Sequence, residues 1–222
     1  MGCSGLTLHR RMLLPVLDFP TAYGMTALSA WALMGVFWLL GRAFWSQGVP
    51  YLIAAVCSFG VAYGLFAMQQ VLPRMGAITG AHLAISLAIS LLTLGYQRFR
   101  QQPWGRVDLL TLSVPLLLIG VLGLLGPADF SWQVRLRGSV FIGQMVWQIM
   151  VLHRARQSTA SLGWKLVVSA QCVQLAALLP LVVYGDLQMS PSVTRQLSVA
   201  MPWVICMVMF LNMQVTAYGY LL

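Results

Sequence analysis

The stretch "GAHLAISLAISLLTLGYQRFR", residues 80–100, decides the fold. From Met75 to Gln97 the chain carries no aspartate, glutamate, lysine or arginine, a run about as long as an α-helix needs to cross the hydrocarbon of a bilayer. Its polar side chains are not scattered. An α-helix turns about 100° per residue, so relative to His82 the side chain of Ser86 lies about 40° away, Ser90 about 80°, Thr93 about 20° and Gln97 about 60°. Thr79 falls in the same arc. One stripe less than a quarter-turn wide therefore holds every strongly polar group of the segment.

The roughly opposite side carries Gly76, Gly80, Ala84 and Ala88 at every fourth position, a pattern that lets a neighbouring helix approach closely. A rod with hydroxyls and an imidazole along one edge and small residues along the other belongs inside a helix bundle.

Composition extends this to the whole chain. Of 222 residues, 59% are hydrophobic and only 8% are charged, whereas a soluble domain carries about 25% charged residues to cover its surface. There is no glutamate, and Asp18, Asp108, Asp129 and Asp186 lie near the ends of apolar runs, as a bilayer core requires. A net charge of +9 would suggest nucleic acid in a soluble protein. Here the arginines sit in short clusters between apolar runs, as in membrane-protein loops; no nucleic acid partner is expected, and the lipid bilayer is.

Seven spans are predicted, near 20–41, 50–69, 76–97, 107–126, 138–152, 163–184 and 197–219, the fifth being the shortest. Residues 1–18 form a short segment outside the membrane, broken by Pro15 and Asp18. Connections such as "GRAFWSQG" and "QRFRQQPWGR" are too short to separate domains, and no internal repeat occurs. The fold class is all-α, a single integral membrane bundle of about seven transmembrane helices over residues 1–222.

Arg42, Arg98, Arg100, Arg106, Arg154, Arg156 and Lys165 fall on one face of such a bundle; Arg74, Arg135, Arg137 and Arg195 fall on the other. The richer face is expected in the cytoplasm, which puts the C-terminus inside, although Arg10 and Arg11 argue the other way. Trp45, Trp104, Trp132 and Trp164 near span ends suit interfacial anchoring.

Further buried polar groups are expected in the interior. Gln144 and Gln148 are four apart on the fifth span, with Arg137 on the same side; Gln171 and Gln174 are three apart on the sixth; Asn212 lies in the last. These either bond helix to helix or line a pocket. His82 has the same two readings, and a third as a metal or haem ligand fails on depth. His153 closes the fifth span at the other membrane face, roughly 20 Å away at 1.5 Å per residue. Cys3, Cys57, Cys172 and Cys206 show no ligand spacing. Neither metal nor cofactor is expected. Gly60 and Gly64 form a GxxxG, read as packing within the fold.

No catalytic constellation appears. An aspartate pair inside the bilayer is missing, the only lysine begins the sixth span, and there is no phosphate-binding glycine loop, so an enzyme is not expected within these residues.

Three segments, "VLDFPTAYGMTALSAWALMGVFWLLGRAF", "VLPRMGAITGAHLAISLAISLLTLGYQRF" and "WQVRLRGSVFIGQMVWQIMVLHRAR", together resemble the multi-span N-terminal membrane region of many bacterial GGDEF proteins. The matching positions are Leu17, Asp18 and Thr21, then Leu72 and Pro73, then Arg98 and Phe99, and finally Arg135. In that family an asparagine often stands about where this chain has His82, and no GGDEF-type sequence occurs in the 222 residues. The resemblance implies a sensory or regulatory input domain of the bacterial inner membrane. Such a domain would respond to a small-molecule signal, act as a homodimer and relay through its last helix to a cytoplasmic GGDEF effector, a diguanylate cyclase. The rival classes are a small-molecule transporter or permease subunit and a structural membrane subunit.

Overall fold

A computed structural model describes residues 19–99, 105–125, 130–155, 162–184, 208 and 211–216. Every regular element among them is helical. Helix α1 (Phe19–Leu40) has Pro20 in its first turn, where a missing N–H breaks no helical bond. It runs on into a 3₁₀ segment (Gly41–Gln47) rather than a loop, and Gly48 ends that segment at φ 94°. Only glycine adopts this conformation without strain. A Cβ at Gly48 would also stand 2.8 Å from the Gly95 carbonyl, so the turn sits against the end of the third helix.

Helix α2 (Val49–Ala67) again opens with a proline, Pro50. Helix α3 (Arg74–Phe99) contains the stretch at 80–100 almost whole. Helix α4 (Arg106–Leu124) is started by Asp108, whose carboxylate accepts the Gly105 N–H at 2.7 Å and complements the helix dipole. Helices α5 (Phe130–Ala155) and α6 (Leu162–Tyr184) follow. The indole of Trp164 donates to the Leu152 carbonyl at 2.8 Å, satisfying one of the acceptors left over at the end of α5.

Helix α3 is the centre. It packs against α2, α4 and α5, while α1 lies on α2 and α6 on α5. Phe37, Val56, Phe59, Ile89, Leu92 and Met145 belong to one continuous core. Close approaches occur where side chains are missing: a Cβ on Gly60 would collide with Trp31 of α1, one on Gly123 with Thr79 of α3, and one on Gly138 with Val182 of α6. Gly64, the second glycine of the GxxxG, has open space beside it. In the small-residue row of α3, a Cβ on Gly80 would stand 3.2 Å from Leu65 of α2 and Ala88 is fully buried, but Gly76 is exposed.

Five helices are long and apolar enough to cross a membrane: Pro20–Leu40, Val49–Ala67, Arg74–Phe99, Arg106–Leu124 and Leu162–Pro180. The fifth predicted span needs correction. It is not the shortest element but, at 26 residues, as long as α3. Gly138, the predicted start, is its ninth residue, and Arg135 and Arg137 of the predicted connection lie in its first turns. Its polar residues, Gln133, Arg137, Gln144 and Gln148, are buried against neighbours, and α5 is not among the five apolar helices. Of the seventh predicted span only 208 and 211–216 are described, as helix. Asp18, Asp129, Asp186, Trp104, Arg156 and Arg195 lie outside the described residues.

Candidate functional site, a polar junction beside an apolar groove

Helices α3 and α5 run parallel: Thr79 meets Arg137, His82 meets Phe141, and Ser86 meets Gln144. Gln144 is the main tie between them. Its Nε2 donates to the Ser86 carbonyl at 3.1 Å and to Ser90 Oγ at 3.0 Å, and its Oε1 accepts the Ser86 hydroxyl at 3.2 Å. Ser90 Oγ then donates to the Thr111 carbonyl of α4 at 3.3 Å.

Local sequence explains that last bond. Pro115 stands four residues after Thr111 inside α4. A proline has no N–H to give to the carbonyl one turn back, so the Thr111 oxygen is left without its helical donor. In hydrocarbon an unfilled carbonyl is costly, and a hydroxyl from the next helix is one of the few available substitutes. Ser90 fills it. The result is a chain from α5 through α3 to α4, near the middle of α3.

Directly beside this chain, α3, α4 and α5 enclose an open groove of about 420 Å³. Ser90, Thr93, Thr111 and Gln144 contribute its polar wall; Ile89, Leu110, Val114, Pro115, Leu118 and Val140 are among its apolar lining. Gly143 leaves space on the α5 side, and Trp147 closes it one turn further on. Helix α4 forms the outer wall and is the least buried of the five apolar helices. Ile119 is its one buried residue.

The predicted stripe of α3 is divided among four surroundings. Ser86, Ser90 and Thr93 are buried, with Ser90 and Thr93 in the groove wall; the Thr93 hydroxyl bonds back to the Ile89 carbonyl at 2.9 Å. His82 lies outside the groove. Its Nδ1 is 2.6 Å from the Ile78 carbonyl of its own helix. Its ring is stacked on Phe141 of α5 at 5.7 Å and meets the edge of Phe66 of α2 at 5.6 Å. Thr79 is 3.4 Å from the guanidinium of Arg137, which is only 4% exposed and also reaches Gln133 Oε1 at 3.4 Å. Gln97 holds a buried Oε1 with no partner among the described residues.

Gln148, Gln174 and Asn212 gather elsewhere, toward the end of α3. Gln148, Gln171 and Thr216 surround the Tyr96 hydroxyl, Asn212 Nδ2 donates to Gln174 Oε1, and Thr216 donates to Asn212 Oδ1 at 3.3 Å. This second cluster joins α3, α5 and α6 to the segment 211–216. Gln171 is in the interior as its position in the sequence predicts, whereas Tyr96, Thr111, Pro115, Trp147 and Thr216 join these two sites only through the tertiary packing. The legible signal was Pro115, since a proline within an apolar run always frees a carbonyl four residues earlier.

Among the described residues no three His, Cys, Asp or Glu side chains come together. Comparison of the chain with protein-family models, curated proteins and solved structures finds no match.

Proposed function

We propose that the chain is a membrane-embedded sensory or regulatory input domain. In this reading it is a seven-helix bundle of the bacterial inner membrane, its C-terminus is cytoplasmic, and it acts as a homodimer on a GGDEF-type diguanylate cyclase. The observation that carries the reading is the Gln144–Ser90–Thr111 chain beside the groove.

A ligand in the groove changes the spacing of α4 from α3 and α5, and Gln144 feels that change through its bonds to Ser86 and Ser90. One turn along the same face of α5 is Gln148, which belongs to the Tyr96 cluster with the segment 211–216. Two adjacent turns of one helix thus link the groove to the last span. A ligand moves such an equilibrium only by its differential affinity for the two packings, and the groove is where that difference arises.

The test is a cyclic di-GMP reporter in cells carrying the chain with its native partners. Gln148→Leu, at unchanged membrane level, is expected to shift output about threefold, the population change matching one intramembrane hydrogen bond of about 0.6 kcal/mol. Output that stays constant under every stimulus in both forms removes the input reading. The permease alternative requires water at Ser86 and Ser90, which are buried and hydrogen-bonded in this packing. Labelling of cysteines there from both membrane faces in turn would move the reading to transport.

A further inference from the structure

The polar hydrogens of the groove wall are, with one exception, already used by the protein. The Ser90 hydroxyl goes to the Thr111 carbonyl, the Thr93 hydroxyl to the Ile89 carbonyl and the Thr111 hydroxyl to the Asp108 carbonyl. Both amide hydrogens of Gln144 have acceptors on α3. The exception is Trp147, whose Nε1 is buried with no hydrogen-bond partner among the described residues. A buried indole N–H ordinarily finds an acceptor, and one without it carries a desolvation cost that a ligand oxygen would remove.

The rest of the wall restricts the ligand further. No charged residue lines the groove, so a carboxylate or phosphate would enter a low-dielectric site with no counter-ion. The remaining lining is aliphatic, and the outer wall, α4, exposes Val114, Leu117, Leu118 and Val121 on the surface a bilayer would cover. Entry from the bilayer exposes an apolar molecule to no water.

We infer that the groove takes a neutral, mainly apolar molecule with one carbonyl-type oxygen, which accepts the Trp147 indole N–H while its chain lies against α4. This deepens the input-site reading and rests on it for any consequence in signalling. The same chemistry is offered by the ester of a bilayer lipid and by a freely diffusing hydrophobic ketone, ester or lactone.

The full chain in nanodiscs of ether-linked phospholipid, which contribute no ester carbonyl, allows a direct test. The probes are methyl undecyl ketone and tridecane, equal in chain length and differing by the oxygen. The wild type is expected to prefer the ketone about three- to tenfold, the range of a single net hydrogen bond, and to lower the ketone's carbonyl stretching frequency. Trp147→Phe should lose both the preference and the shift while still binding tridecane, which shows that the variant is folded. Gly143→Leu should abolish binding of both probes, because a Cβ there meets nothing within 4 Å and the longer side chain extends into the groove space.

Equal binding of ketone and alkane by the wild type, a carbonyl shift that survives Trp147→Phe, or ketone binding that survives Gly143→Leu would each overturn the inference. Exchange into ester-linked lipid separates the sources. A shifted ester band lost in Trp147→Phe assigns the bilayer lipid, and ketone binding with no such band assigns a free compound. A bound ketone that leaves reporter output unmoved removes the input reading and keeps the site. Output altered by Gln148→Leu without ketone binding does the reverse.

Discussion

Pro115 acts through an atom it does not touch. By lacking an N–H it frees the Thr111 carbonyl, and Ser90 supplies the missing donor. Pro115→Ala restores a helical donor, so Ser90→Ala should cost less in that background than in the wild type. A double-mutant cycle read by denaturation in detergent is expected to give a coupling of about 0.5–1 kcal/mol; additive effects would show that the proline and serine are independent. Gln144→Leu removes three inter-helix bonds at once. At about 0.6 kcal/mol per bond its expected cost is about 2 kcal/mol, measured in the same assay. For His82 the ring matters more than its nitrogens. His82→Phe keeps the stack on Phe141 and the edge contact with Phe66 and should cost under about 1 kcal/mol, whereas His82→Ala leaves a cavity worth about 2–4 kcal/mol.

Helices differ in how their faces are used. Helix α5 is long and mixed in character, and it tolerates Gln133, Arg137, Gln144 and Gln148 because these residues face protein rather than lipid. Helix α4 is largely apolar and barely buried, so its place depends on a few contacts: the bond from Ser90, and the bare backbone of Gly123 against Thr79. Gly123→Leu should push α4 off α3 and lower the melting temperature in detergent by several degrees, about 2 kcal/mol in a protein of this size. Gly143→Ala, which meets open space, serves as the near-neutral control. The turn into α2 is equally specific. Gly48→Ala combines a left-handed φ with a Cβ 2.8 Å from the Gly95 carbonyl, and an expected loss of at least about 1–2 kcal/mol follows from the conformation alone.

Across the whole molecule the short connections and the parallel run of α3 and α5 bring Arg42, Arg98, Arg106, Arg154 and Lys165 to one end. All five are exposed. We propose, from the positive-inside bias, that this end faces the cytoplasm. Single cysteines at Arg42 and at Val71, which is 82% exposed, are therefore expected to react with an impermeant thiol reagent from opposite sides of sealed vesicles. Arg42 should react from the cytoplasmic face. Reaction of both from one side would break the alternation of α1, α2 and α3.

Much of this was legible in the chain. Hydrophobic length and scarce charge determine that the protein is helical and made for a bilayer, since no water is present there to satisfy an open backbone. The 100° step of a helix gathered Thr79, His82, Ser86, Ser90, Thr93 and Gln97 on one edge before any neighbour was known. Periodicity says which residues share a face but not what lies opposite it. Only the tertiary structure divided that edge, giving Ser86 and Ser90 to Gln144, Thr79 to Arg137 and His82 to two phenylalanine rings. The same limit hid the start of α5, because an arginine reads as a loop until a neighbouring helix covers it. Partners across a helix interface are set by the translation and rotation of one helix against another, quantities that no single helix encodes.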